Sequence, residues 1–127
     1  MYAYPSEHYP LWQAGFLDMR LPYGMFGENF TTEGLDESSV YIGDQFRIGS
    51  AVIEVTQPRT PCYKLGLRFG RPDMPKRFHV SGRCGFYLAV LREGEVGAGD
   101  MWEQIARNDQ QLSVGESYCR YFDEQGN

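Results

Sequence analysis

The apolar alternation in Ala51-Val52-Ile53-Glu54-Val55-Thr56, halted by proline, constrains this chain more than any other feature. The pattern predicts a half-buried strand. The strand runs into Gln57-Pro58-Arg59-Thr60-Pro61-Cys62-Tyr63-Lys64-Leu65. Each proline fixes φ and removes a backbone donor, so the segment is a stiff connector that cannot extend a ladder. It carries Cys62 between Arg59 and Lys64, and nearby cations favour the thiolate, which is both nucleophile and metal ligand. If Cys62 opens a helix with Pro61 in the first turn, the helix dipole acts in the same direction. A small apolar side chain packed in the core is the competing reading of the same cysteine.

At 127 residues the chain fits one domain and is long enough to bury roughly two thirds of its unfolded surface. A formal net charge of −5 argues against a general nucleic-acid binder, although a local cationic pocket at Arg59 and Lys64 is compatible with it. Nine tyrosines, eight phenylalanines and fifteen glycines point to β structure with many turns. Three cysteines (Cys62, Cys84 and Cys119) make an odd count without a Cys-x-x-Cys pair, which excludes a disulfide scaffold and a structural zinc site as first readings. Reduced thiols in the cytoplasm are the expectation. No apolar run reaches the ~20 residues of a membrane span, and no secretory signal opens the chain.

Along the chain, Tyr2-Ala3-Tyr4 reads as the end of a strand, which suggests that something upstream is missing. A helix is expected to start at Pro5 and run to Trp12 and Ala14, short or broken because of Pro10. A Gly-rich loop spans Leu21 to Asn29. Asp36-Glu37-Ser38 suggests a brief turn, and the carboxylates Glu33, Asp36 and Glu37 read as a solvated patch. Strands are expected to start at Val40-Tyr41-Ile42 and to cover Gln45–Ile48, Ala51–Thr56, Gly85–Leu91 and Met101–Ala106, in an antiparallel arrangement. Helices are expected over Cys62–Phe69 and Lys76–Val80, the latter closed by Gly82. Ser113 and Glu116 form a capping box that opens a final helix running through Tyr121 and Phe122. The expected division is a main domain over 1–111 and the start of a small helical extension over 112–127.

Three segments carry a resemblance: Gly24-Met25-Phe26-Gly27-Glu28-Asn29-Phe30-Thr31-Thr32-Glu33-Gly34, the Pro-Arg-Thr-Pro-Cys-Tyr-Lys connector, and Gly82-Arg83-Cys84-Gly85-Phe86-Tyr87. In this order they resemble the MOSC domain, named for the C-terminal region of molybdenum cofactor sulfurases, and within it the bacterial YiiM-like branch. The resemblance implies a β-rich α+β fold, a MOSC-type β-barrel with short peripheral helices, cut short at both ends. It implies the molybdenum cofactor, a phosphorylated pterin dithiolene (molybdopterin with its metal). Cys62 matches the family's key cysteine, which ligates molybdenum in relatives that reduce N-hydroxylated compounds. In the sulfurase branch that cysteine is thought to carry a persulfide received from a pyridoxal-phosphate desulfurase.

The resemblance thus implies an oxidoreductase acting on a small N-hydroxylated substrate and fed by a separate electron-transfer protein, since no flavin, haem or iron–sulfur motif is visible. A sulfur carrier served by a cysteine desulfurase is the second reading, and a truncated binding domain the third. Gly24 and Gly27 would permit close backbone approach. Glu28, Asn29, Thr31 and Thr32 would meet a pterin edge or phosphate, and Arg59 and Lys64 would meet the phosphate. Turns, caps and solvated charges explain the same residues without a ligand. His8 and His79 read as satisfied structural histidines, and Cys84 and Cys119 as small packed groups. Open strand edges would allow a homodimer.

Overall fold

The structure, a computed structural model, describes residues 1–59, 63–107 and 112–124. Six strands form one mixed sheet: β1 (Tyr2–Pro5), β2 (Phe30–Thr32), β3 (Gln45–Ile48), β4 (Ala51–Pro58), β5 (Phe86–Arg92) and β6 (Trp102–Ala106). Their order across the sheet is β2-β1-β5-β4-β3-β6. In β4, Ala51, Ile53 and Val55 are buried and alternate with the half-exposed Val52 and Glu54, which is the period of a strand with one face on a core. Phe46 and Ile48 repeat the pattern in β3, around an exposed Arg47. The β3–β4 hairpin closes at Ile48↔Ala51 through Gly49-Ser50, with Gly49 at φ +57°. β4 ends at Pro58, where the missing donor and fixed φ stop the ladder.

The antiparallel expectation holds except at one edge. β2 pairs parallel to β1, with Ala3↔Phe30, Tyr4↔Thr31 and Pro5↔Thr32 in register. Parallel neighbours need a long crossover. Here it consists of residues 6–29: a 3₁₀ turn at Ser6–His8, helix α1 (Tyr9–Gly15) and the Gly-rich loop. Pro10 lies in the first turn of α1, where its lacking N–H costs nothing, so the helix is short but not broken there. The Val40–Ile42 strand is reduced to a single bridge between Tyr41 and Ser113.

Helix α2 (Tyr63–Phe69) follows the connector, and α3 (Met74–Ser81) begins with Pro75 in its first turn. Gly82 ends α3 at φ +70°, the left-handed closure that glycine favours. α4 (Val114–Glu124) has the expected cap: the Ser113 hydroxyl accepts from Glu116 N at 3.1 Å and donates to the Glu116 carboxylate at 3.0 Å. All four helices bury aromatic or aliphatic side chains against the sheet, among them Trp12, Leu65, Phe69, Phe78, Val114 and Tyr118. Among the described residues no helix is long and apolar enough to cross a membrane.

Although β2 and β6 are opposite edges of the sheet, the rings of Phe30 and Trp102 meet edge to face at 5.6 Å. That contact needs strong curling, so the sheet is a half-barrel with a seam between its two edge strands.

Candidate functional site

The Gly-rich loop is held by its own glutamate. Glu28 Oε2 accepts from the Tyr9 hydroxyl at 2.5 Å and from Thr31 Oγ1 at 3.1 Å, and Oε1 accepts from Phe26 N at 3.1 Å. The Tyr9 hydroxyl in turn accepts from Gly24 N at 3.1 Å. Burial and the bond to Glu28 raise the Tyr9 pKa well above its ordinary value, so this hydroxyl stays a donor. Gly24 and Gly27 both take positive φ (+92° and +84°), which lets the loop turn twice within four residues. Asn29 is tied to β1 from both sides: its N donates to Tyr2 O at 2.8 Å, and its Oδ1 accepts from Tyr2 N at 2.9 Å.

Arg59 sits at the end of β4 and points inward. Its Nη1 donates to the Phe26 carbonyl, and its guanidinium carbon lies 4.7 Å from the Tyr2 ring centroid and 5.6 Å from that of Phe78. It clamps the loop from the core side. The Tyr2 hydroxyl donates to Cys84 O at 2.5 Å, and burial raises the Tyr2 pKa against the opposing pull of Arg59.

On the outer side, two clefts of about 410 and 570 Å³ flank the Phe30–Trp102 seam. Asn29 and Thr31 line the first, and Thr31 and Thr32 the second; both are closed opposite by Gly99, Asp100 and Trp102. Asn29, Thr31 and Thr32 are thus brought together at one sheet edge, although Thr32 spends its hydroxyl on Leu35 O at 3.2 Å. Neither cleft is lined by Arg59 or Lys64. Lys64 is exposed in the first turn of α2. One turn later, Arg68 Nη1 donates to Gly24 O at 3.4 Å, and its guanidinium lies 3.8 Å from where a Cβ on Gly27 would be. No local pattern in the sequence places Arg68 at this loop, because only folding brings α2 beside it. Its one local signal is the i, i+4 spacing from Lys64, which puts both cations on one helix face.

Cys62, with Thr60 and Pro61, lies outside the described residues. The described residues nearest to it in the chain are Arg59, just past β4, and Tyr63, the first residue of α2.

Other expectations change. Glu37 is not part of a solvated patch. It is 7% exposed, accepts from His8 Nε2 at 2.7 Å through Oε1, and accepts from Gly85 N at 2.7 Å through Oε2. A carboxylate is buried here because two donors converge on it, which no local charge pattern reveals. Gly85 has φ +66°, and a Cβ on it would stand 2.5 Å from Ala3 O, so β1 crosses this point against bare backbone. Both histidines are structural: His79 accepts at its carbonyl from the Tyr118 hydroxyl (2.6 Å), and its Nδ1 bonds the same oxygen at 2.7 Å.

Cys84 is fully buried, and burial, then the Glu37 charge, raises its thiol pKa far above the ordinary range; Cys119, expected to pack, is exposed on α4. Iodoacetamide at pH 8 is therefore expected to label Cys119 in the native protein and Cys84 only after denaturation. Peptide mass spectrometry checks this, and native labelling of Cys84 at the rate of Cys119 would contradict it.

Comparison with known proteins places this geometry. The MOSC domain model matches residues 1–103. The uncharacterized protein YflK of Bacillus subtilis is 46% identical over 88% of this chain and 50% of its own length. Protein YiiM of Escherichia coli is 42% identical over 82% of this chain and 47% of its own. The chain therefore spans about half the length of these curated relatives. A reductase from Gibberella moniliformis is 36% identical over 90% of this chain and 21% of its own length. The crystal structure of YiiM from Geobacillus stearothermophilus superposes with a TM-score of 0.93 at 38% identity, covering all of this chain and 65% of that one. With the family model covering most of its length and the half-barrel superposing throughout, the chain belongs to the MOSC domain family, in its YiiM-like branch.

Proposed function

We propose that this chain forms the cofactor-binding part of a molybdenum-dependent reductase of N-hydroxylated compounds. The observation that supports it most is the seam. Asn29 and Thr31 line a cleft large enough for a small organic ligand, at the end of a loop that Arg68 of α2 meets at Gly24. The donor set suits a phosphorylated pterin in part. The Asn29 amide lines the cleft beside Thr31, whose hydroxyl donates to Glu28 and keeps only its acceptor capacity; Arg68 brings positive charge beside Gly24 and Gly27, Lys64 is exposed one turn before it, and Cys62 supplies the one soft ligand of the connector. Glu28 and Arg59 are taken up within the protein and would shape the loop instead of touching the ligand. The MOSC family and the fungal relative described as a reductase support the same reading.

When bound, the molybdenum cofactor supplies the oxygen-accepting, two-electron chemistry that no side chain provides. Overall, the N–O bond would be cleaved with uptake of two electrons and two protons, one proton going to the nitrogen and the other to the departing hydroxyl, which leaves as water. The role of this chain is to hold Cys62 as thiolate at the head of α2, to orient the pterin edge with Asn29 and Thr31, and to keep the loop rigid through Glu28.

The test is the cofactor content of the protein made in a host that synthesises the cofactor. The wild type is expected to carry molybdenum and fluorescent pterin in near-equal amounts. Cys62→Ser keeps the size and removes the soft ligand, and is expected to lose reduction of a small N-hydroxylated compound by at least about 100-fold. Protein free of both molybdenum and pterin would end this proposal. A mass gain of about 32 Da on Cys62 after incubation with a desulfurase, with no metal, would replace it by the sulfur-carrier reading.

A further inference from the structure

Opposite Asn29, the seam cleft of about 410 Å³ is walled by the turn Gly97-Ala98-Gly99-Asp100 and by Trp102. Asp100 closes that turn twice: its N donates to Gly97 O at 3.1 Å, and its Oδ2 accepts from Gly97 N at 2.7 Å. The carboxylate is thereby fixed at the cleft, and its Oδ1 has no partner among the described residues. An ionised carboxylate has about four acceptor sites, so most of this capacity is unspent. Two donors stand with it. Tyr2 N donates to Asn29 Oδ1 at 2.9 Å, which fixes the amide and leaves its NH2 group free of β1. The Trp102 indole N–H has no partner among the described residues, and its ring is pinned by Phe30 and Phe46, each at 5.6 Å.

Tyr23 adds an aromatic face to the same cleft. It is 69% exposed, yet its ring stands on that of Tyr9 at 5.0 Å, and Tyr9 is tied to Glu28. Fixed rings around one charged acceptor and two neutral donors suit a flat heterocycle whose edge carries N–H groups beside a carbonyl. Among the described residues Asp100 is the only charged side chain in this lining, so the phosphate of a ligand is disfavoured here.

We infer that Asp100 is a specificity-determining residue, which reads the 2-amino-4-oxopyrimidine edge of the ligand in this cleft. The inference rests on the cofactor reading above, because the pterin of the molybdenum cofactor carries that edge; guanine carries the same one. On it an amino group and a ring N–H lie side by side, next to a carbonyl. The two donors match the Asp100 carboxylate as charge-assisted hydrogen bonds, and the carbonyl matches the N–H groups of Asn29 and Trp102. An oxygen in place of the amino group would set acceptor against acceptor, and a site built for hydrogen bonding rejects such an analogue strongly.

Binding of pterin and of lumazine, its 2-oxo counterpart, to the full chain is to be measured by calorimetry and mapped by amide shift changes. Pterin is expected to bind at least about 10-fold more tightly than lumazine. Asp100→Asn keeps an oxygen for Gly97 N and is expected to cut that preference below about 2-fold. Glu33→Gln removes a charge that lines only the neighbouring cleft, and is expected to leave the preference unchanged. If Asp100→Asn does not fold, Asp100→Ser replaces it, with the same direction expected. Guanosine against xanthosine separates the two sources of the edge. A preference in the pteridine pair alone assigns the cofactor's ring, and an equal one for guanosine assigns a guanine base as well. Absence of pterin binding, equal binding of lumazine, shift changes away from residues 97–102, or equal loss in Glu33→Gln would overturn the inference. None of these measurements needs molybdenum. A chain that prefers pterin but carries no molybdenum after production in a cofactor-synthesising host ends the reductase proposal alone. A chain that carries the cofactor but shows no such preference ends this inference alone.

Discussion

Phe26→Ala is expected to cost about 4 kcal/mol of stability, close to the whole reserve of a domain this size. Phe26 is fully buried and stacks on Tyr4 at 4.4 Å; its ring also meets Tyr9, Phe69, Trp12 and Phe78 at 5.3 to 5.9 Å. These rings come from β1, α1, α2 and α3, so one truncation opens a cavity where four elements converge. Phe26 also offers its carbonyl to Arg59, and a loop that relaxed into the cavity would move that acceptor. A buried guanidinium losing one of its acceptors adds to the cost. Urea unfolding measures the loss, and Phe26→Leu, which keeps most of the volume, is expected to retain more than half of it. A drop below about 1 kcal/mol for alanine would show that this cluster is not the centre of the core.

Glu37→Ala is expected to cost about 3 kcal/mol and to lower the thermal midpoint by roughly 10 °C. The carboxylate is the common acceptor for His8 and for the backbone amide of Gly85. Removing it leaves that amide buried without a partner at the point where β1 crosses the start of β5. Glu37→Gln keeps an oxygen for one of the two donors but presents an amide to the other, so an intermediate loss is expected. Substitution of Asp36, whose oxygen caps the neighbouring Ser38 and Ser39 amides at the exposed surface, is expected to cost far less. Equal losses at the two positions would return Glu37 to the solvated patch that its sequence neighbours suggest.

The difference between Asp36 and Glu37 marks where local reading stops. Strands β3, β4 and β5, the Pro58 stop, the Gly82 closure and the Ser113–Glu116 box depend on side-chain period, fixed φ and caps. Each acts within a few residues, so each is legible in the sequence. β2 was hidden: Phe30-Thr31-Thr32 is too short to show a period, and its strand state comes from pairing with β1 across the 6–29 crossover. The same pairing carries Asn29, Thr31 and Thr32 to the seam, while Glu28, their neighbour, is drawn into the loop by Tyr9 and Thr31.

The sequence alone determined the strand and turn alphabet, the stiff connector with its cysteine, and the likeness to the MOSC family. Tertiary structure alone decided that Arg59 clamps Phe26 from within, that Arg68 takes the outer side, and that Glu37 is buried. Long-range partners assign those roles, because the cost of burying a charge is met only by hydrogen-bond partners (donors for Glu37, an acceptor for Arg59) that folding brings from elsewhere in the chain.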